Sequence, residues 1–368
     1  VCINNDPCSA LDVQMRSSVG NRRRHIPETG LANLGNTCYM NSTLQCLRHC
    51  SAFEETLASS VTSIQNVQNN NKASSLCSTL LSIMSSSPVT SGHIRNFVKE
   101  LGRVFPRTFY WPHQNDVHEF FELLLDRLDA EVPAAIRVRN KRVTSCSSLL
   151  SSSSHKGYVA LCKKMDLSWE SAGGDVENQG SSVFRGLFVS QVKCGACGAC
   201  FHNGEVMVSV PVEPDRTVRD GLRAFFAPES IEGWKCDKCG QRGSSTMKSF
   251  RLWHPPEILI VLIKRFGVHH KKNSASVYLN EALDLTDNTV IPSGTDNRQR
   301  ILYDLTSSIH HHGPSANSGH YVATCFCADG RWRQFNDNVV RDCDDSTRPS
   351  RRVSRDAYML VYTRRRGG

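Results

Sequence analysis

No apolar run in this sequence approaches the ~20 residues that carry a helix across a bilayer, so a membrane-spanning reading is set aside. No hydrophobic core of a secretory leader stands near the start. The first residue is Val1 and not Met, so the chain reads as a fragment or processed product, and a missing targeting signal carries little weight. No internal repeat is present, so each block is read by itself. Aromatic residues make up only 8% of the chain and do not alternate with the basic runs. That pattern disfavours a stacking platform for nucleic acid. Acidic residues are outnumbered, 35 to 44, for a net charge of +9. Much of the excess lies in Arg22-Arg23-Arg24 and Arg364-Arg365-Arg366, and such runs read as solvated tails.

Cysteine is plentiful, with 16 copies in 368 residues. The length, the missing leader and two Cys-x-x-Cys pairs argue for thiols and metal in a reducing compartment, cytoplasmic or nuclear. Residues 1–28 read as a basic extension and 364–368 as a basic tail. The Ser/Asn/Gln-rich segment Ser59–Ser75 reads as a loop or a weakly ordered helix junction, and Ser145–Ser154 and Ser168–Ser182 as surface insertions. Val117, Phe120, Phe121, Leu124, Leu125 and Leu128 form one apolar helix face. Ile258–Ile263 reads as a buried strand, as do 205–212 and 358–362. Residues 321–327 and 331–335 flank Ala328-Asp329-Gly330, a hairpin signal. Helices lead and strands follow, which gives an α+β fold.

The most informative stretch runs from Gly30 to Ser42. Cys38 follows a polar turn, and Met40, Leu44 and Leu47 follow it at helical spacing. A cysteine at a helix N-terminus sits where the dipole favours a thiolate. Asn33 is placed to donate its amide to a developing oxyanion. A thiol protease also needs a base and a group that orients it. The base candidate is His320, in Ser318-Gly319-His320-Tyr321. The hairpin leaves two choices for the third member. A three-residue turn sets His320 opposite Asn338, with Asn336 a diagonal neighbour on its face. A two-residue turn shifts the register by one and brings Asp337 to that face.

Cys194-Gly-Ala-Cys197 and Cys236-Asp-Lys-Cys239 form two knuckles that together offer four thiolates to one zinc ion, a closed and therefore structural site. Cys197-Gly-Ala-Cys200 is a competing pair. Asp116 and Glu119 resemble a capping box before the amphipathic helix. Carboxylates so placed also suit guanidinium groups of a substrate. His310-His311-His312 lies before Gly313-Pro314 and reads as a solvated loop. His113, His118 and His254 read as structural or surface residues.

The segment Gly30–Gln45 resembles the cysteine box of the ubiquitin-specific proteases, papain-like deubiquitinases. Gln114–Phe120, the Cys-x-x-Cys pairs, Leu262–Phe266, Ser318–Tyr321 and Trp332–Asp337 follow in the family's order, so the resemblance runs from about Gly30 to Thr363. Asn115 departs from it, standing where a second Gln is common. The resemblance implies a papain-like fold over 29–363, with a thumb (about 29–160), a palm (about 161–190 and 250–363) and zinc-bearing fingers (about 191–249). It implies that Cys38, His320 and Asn336 are catalytic, that Asp337 supports them, and that Asn33 is the oxyanion donor. It implies that Cys194 and Cys197, not Cys200, pair with Cys236 and Cys239. It gives Asp116, Glu119 and Tyr321 to the tail of ubiquitin, the partner together with ubiquitinated proteins. It places a mobile loop near His310–His312. The expected activity is hydrolysis after ubiquitin's terminal glycine through a thioester. Rival readings are a catalytically silent ubiquitin-binding scaffold, a protease for another ubiquitin-like modifier, and a basic zinc-binding nucleic-acid module.

Overall fold

The computed structural model describes residues 28–67, 75–105, 114–139, 156–242, 245–267, 271–290, 300–315, 318–349 and 352–366. Nearly all of the N-terminal extension, the Ser145–Ser154 insertion, His113 and the last two glycines lie outside them. Among the described residues the helices are α1 (Cys38–Arg48), α2 (Ser51–Val67), α3 (Leu76–Ser85), α4 (Ser91–Val104), α5 (Val117–Glu131), α6 (Lys156–Ser171) and α7 (Val218–Phe226). The strands are β1 (Gly186–Lys193), β2 (Cys200–Met207), β3 (Val210–Val212), β4 (Glu229–Ile231), β5 (Thr246–His254), β6 (Ile258–Ile263), β7 (Val277–Tyr278), β8 (Ala282–Asp284), β9 (Leu302–Ser315), β10 (Ser318–Phe326), β11 (Trp332–Asn336), β12 (Val339–Asp342), β13 (Val353–Ser354) and β14 (Ala357–Arg364). No helix among them is long and apolar enough to cross a membrane.

Every residue of α1 is buried, so its polar side chains need internal partners. Ser42 and Thr43 bond back to the Tyr39 carbonyl, and Gln45 Nε2 reaches Thr29 O at 2.8 Å. The apolar face of α5 is buried along its whole length, each large side chain contributing about 1.5–3 kcal/mol. Tyr39 meets Phe120 edge-on at 5.2 Å and ties α5 to α1. The main core lies between α1–α5 and the large sheet.

That sheet has the order β12-β11-β10-β9-β14-β6-β3, with β8 also on β9. A second sheet, β2-β1-β5-β4, carries α6 against it. The hairpin between β10 and β11 uses the three-residue turn. Cys327 N donates to Arg331 O at 2.8 Å, and Gly330 takes φ +81°. A left-handed residue there suits glycine.

Several expectations change. The 205–212 run is two strands: β2 belongs to the second sheet, and β3 pairs in parallel with β6 at the edge of the large one. Pro211 sits in that edge strand, where a missing N–H costs least. Of the 191–249 range, β3 pairs with the large sheet, while Phe225 and Phe226 of α7 meet Phe188 and Phe250 of the second. Of Ser59–Ser75, residues 59–67 are helical and Ser75 caps α3, while 68–74 lie outside the described residues. Ser168–Ser182 is no loose insertion, because Val176, Asn178, Gln179 and Ser181 are buried. Asn178 alone serves Val138 N, Ile136 O and Ser63 Oγ. His310–His312 lies in β9, not in a loop. Arg364 and Arg365 are anchored, whereas Arg366 stays exposed. Arg365 grips Asp304 at 2.7 and 2.6 Å, and Arg364 reaches Pro255 O.

Candidate active site

Cys38 is the first residue of α1, buried to 3% exposure. Opposite it, β10 carries His320, on whose ring Cys38 is the strongest electrostatic influence. His320 Nε2 lies 2.6 Å from Asn336 Oδ1. That oxygen can only accept, so Nε2 donates to it and the other ring nitrogen is left for sulfur. The neighbouring Cys38, with further help from Asn336 and Asp337, pushes the His320 pKa up to about 9 against the opposing effect of burial. The imidazolium is thereby favoured next to sulfur. The hairpin register supplies this geometry, since Ala323 pairs with Phe335 and leaves Asn336 diagonal to His320.

Asp337 stands beside the pair. Its Oδ2 is 3.9 Å from His320 Nε2 and takes φ +50° backbone into the turn. Its carboxylate accepts from Asn33 Nδ2 at 2.9 Å and from Asn41 Nδ2 at 2.8 Å. Leu31 N bonds to its carbonyl. The approach is so close that a Cβ on Gly30 would stand 2.4 Å from Asn338 backbone atoms. Asn33 Oδ1 meanwhile accepts from Gly35 N and Thr37 N, holding the turn before α1. Asn33 therefore shapes the turn and presents its amide at the same time.

Asp116 caps α5, with Oδ1 accepting from His118 N and Glu119 N. Its Oδ2 takes the hydroxyls of Tyr321 at 3.3 Å and Tyr358 at 2.8 Å. Burial, then the Asp116 charge, raises both phenols well above their ordinary range. Tyr321 also stacks near His311, 4.7 Å between centroids. Glu119 is exposed on the first turn. Gln114 makes a two-way bond with the Gly319 backbone at 3.0 and 3.1 Å and so docks the α5 side onto the His320 strand. The residue-level reading passed over Asn41, Gln114 and Tyr358. Their only residue-level signal was position, about one helical turn past Cys38 for Asn41 and two residues before Asp116 for Gln114. Tyr358 had none. His118, at 2.9 Å from Ser209 Oγ, joins α5 to the loop before β3.

The family profile described as ubiquitin carboxyl-terminal hydrolase matches residues 29–362. The chain belongs to that family. Ubiquitin carboxyl-terminal hydrolase 25 of Arabidopsis thaliana is 27% identical over 376 residues, 95% of this chain and 49% of that protein. Human ubiquitin carboxyl-terminal hydrolase 3 is 26% identical over 376 residues, 92% of this chain and 68% of that protein. The chain spans about half of the Arabidopsis relative and 27% of ubiquitin carboxyl-terminal hydrolase 36 of Drosophila pseudoobscura pseudoobscura. Among solved structures, the SAGA Ubp8/Sgf11/Sus1/Sgf73 DUB module bound to ubiquitin aldehyde shares the fold. Its TM-score is 0.68 at 20% identity, over 98% of this chain and 74% of that one.

Away from the cleft, the four expected thiols converge. The sulfurs of Cys194, Cys197, Cys236 and Cys239 lie within 4.8 Å of one another, with 4.0 Å from Cys194 to Cys239 and 3.7 Å from Cys197 to Cys236. Tetrahedral zinc with ~2.3 Å bonds to sulfur separates its ligands by about 3.8 Å. The set fits zinc, and the two knuckles share one construction. Gly198 N donates to Cys194 O and Gly240 N to Cys236 O, with φ +69° and +72°. The amides of Cys197 and Ala196 help draw the Cys194 pKa down to about 7, toward the thiolate that a metal needs. Cys200 turns away to Gly198 O. Among the described residues, twelve cysteines are free thiols.

Proposed function

We propose that this chain is a thiol-dependent deubiquitinase that cleaves the isopeptide or peptide bond after ubiquitin's C-terminal glycine. The observation that carries the reading is His320 held between Cys38 and Asn336, the latter at 2.6 Å, in a chain of this family. The Cys38 thiolate attacks the glycine carbonyl. His320 then protonates the departing lysine amine, so that the C–N bond breaks and a thioester remains. Water, deprotonated by His320, releases the glycine carboxylate and restores the thiol. Asn336 keeps the imidazole in place without adding charge, which the thiolate–imidazolium pair tolerates. Asn33 and nearby backbone amides serve the oxyanion, and Asp337 sets the angle of Asn33.

The partners in this reading are ubiquitin and ubiquitinated proteins. Glu119, exposed at the mouth, is the acid that meets the arginines of the tail. Asp116, already occupied by two amides and two hydroxyls, acts by fixing Tyr321 and Tyr358 along the glycine channel. Cys194, Cys197, Cys236 and Cys239 would hold one structural zinc, which supplies folding energy to the second sheet and takes no part in the chemistry.

The test is covalent labelling by ubiquitin bearing a C-terminal electrophile. Labelling of the wild type and not of Cys38→Ala supports the reading. Labelling of both proteins would move the nucleophile to another cysteine. Labelling of neither, with fold and zinc intact, would favour a silent scaffold or another modifier.

A further inference from the structure

Some 11 residues along from the nucleophile, at the opposite end of α1, three unlike side chains converge where no part of the cleavage reaction takes place. His49, at the C-cap of α1, has Nε2 2.9 Å from Glu28 Oε2 and 3.7 Å from Cys327 Sγ. All three donor atoms lie within 4.8 Å of one another. They come from three segments: the strand-like entry before α1, the end of α1 itself, and the β10–β11 hairpin. Cys327 is 1% exposed, and the His49 side chain is 10% exposed.

The other ring nitrogen decides what Nε2 can do. His49 Nδ1 is 2.7 Å from the Gln45 carbonyl, which can only accept, so Nδ1 carries a hydrogen. In the neutral ring Nε2 then presents a lone pair directly at a carboxylate oxygen. Two acceptors at 2.9 Å need a cation between them, either a proton or a metal ion. An imidazole whose far nitrogen donates to a backbone carbonyl is the usual arrangement of a metal-bound histidine.

The surroundings agree with this. Arg333 Nη1 stands 3.6 Å from Glu28 Oε1, the oxygen that faces away from His49. Its charge is drawn off by Asp329, at 3.0 Å to Nη1, and by Asp342, at 2.8 Å to Nε. It therefore steadies the carboxylate as an outer partner and is not an unscreened cation beside the cavity. Sulfur, imidazole and carboxylate form a mixed set that suits zinc or cobalt and not magnesium or calcium.

We propose that Glu28, His49 and Cys327 form a second metal site, which takes one zinc or cobalt ion in exchange for the protons of His49 and Cys327. The ion would tie the end of the nucleophile helix to the hairpin that carries His320 and Asn336. The fourth position is left to water, as three protein ligands leave a tetrahedral ion one vacancy.

The experiment measures metal stoichiometry in the whole chain, with the four-thiol site loaded. The protein is titrated with Co2+ or Zn2+, and bound metal is counted after removal of the excess. Wild type should hold two equivalents, and Cys327→Ser and His49→Ala one. Glu28→Gln should weaken binding of the second ion at least tenfold. Cys236→Ser, tested separately, should lose the other equivalent and keep this one. One equivalent in wild type overturns the proposal, and so does a second equivalent that survives in Cys327→Ser. Cys327→Ser and Glu28→Gln are near-isosteric, so a His49→Ala chain that fails to fold does not block the test.

Discussion

Asp337 accepts the side-chain amide of Asn33 at 2.9 Å across 304 positions of sequence. This bond joins the turn before Cys38 to the loop after Asn336. Asn41 reaches the other oxygen of the same carboxylate. Replacing Asp337 with Ala should leave two amide donors without their partner. We expect a loss of about 1–3 kcal/mol in stability and a fall in kcat larger than the change in KM. A double-mutant cycle with Asn33→Ala checks the link, and additive losses would show that the two act separately.

Replacing Asn33 alone, proposed as the oxyanion donor, should be more selective. Asn33→Ala is expected to lower kcat by about 10²–10³-fold. Steady-state hydrolysis of a ubiquitin amide gives the value. A fall below about tenfold would leave Asn33 a turn residue only.

The His320 pKa, raised to about 9, gives a definite pH dependence. The shift is upward, so the favourable interaction is complete below the ordinary value of 6.5 and is lost as pH rises through about 9. The acylation rate should fall along that alkaline limb. In Cys38→Ala the largest cause is gone, and the ring should titrate at lower pH. Histidine NMR of the two proteins reads this directly, and an unchanged titration would remove Cys38 as the cause.

The four-thiol site should be separable from the chemistry. Cys236→Ser should lose one metal equivalent and raise KM at least about tenfold, with kcat kept within about threefold. Cys200→Ser should bind as much metal as wild type, because its sulfur points to Gly198 O. Atomic emission of the purified proteins decides the point.

Arg265 is fully buried and gives its donors to four backbone carbonyls, those of Ala357, Asn273, Ala275 and Ser354. Burial pushes its pKa down to about 10. Arg265→Leu should leave those carbonyls unsatisfied and cost about 3–5 kcal/mol. Urea denaturation will report it as a lower midpoint. A loss below about 1 kcal/mol would mean that water replaces the guanidinium.

The periodic elements were legible from local residues. The face from Val117 to Leu128 and the run Ile258–Ile263 each formed as a repeat of apolar side chains requires. The hairpin was legible only as a pair of registers, because the choice depends on the backbone at Gly330 and not on composition. Ser168–Ser182 misled for a different reason. Its polar groups look solvated in sequence, yet Asn178 and Ser181 find partners on distant helices, Ser181 at Asp129. Arg365 misled in the same way, since its partner Asp304 is 61 residues off. Within the cleft, Cys38 and His320 stood out by residue type. Asn41 and Tyr358 did not, because their part is to hold Asp337 and Asp116, and that is visible only once those carboxylates are placed.

The place of β14 has a consequence for synthesis on the ribosome. It is the last of the described strands in sequence but lies between β9 and β6. Until Ala357–Arg364 has emerged, the half of the sheet bearing His320 and the half bearing β6 and β3 have no strand to join them. Cys38, made more than 300 residues earlier, therefore waits for that strand before His320 is locked in place. A nascent chain of this protein should be inert toward ubiquitin until that closing strand inserts.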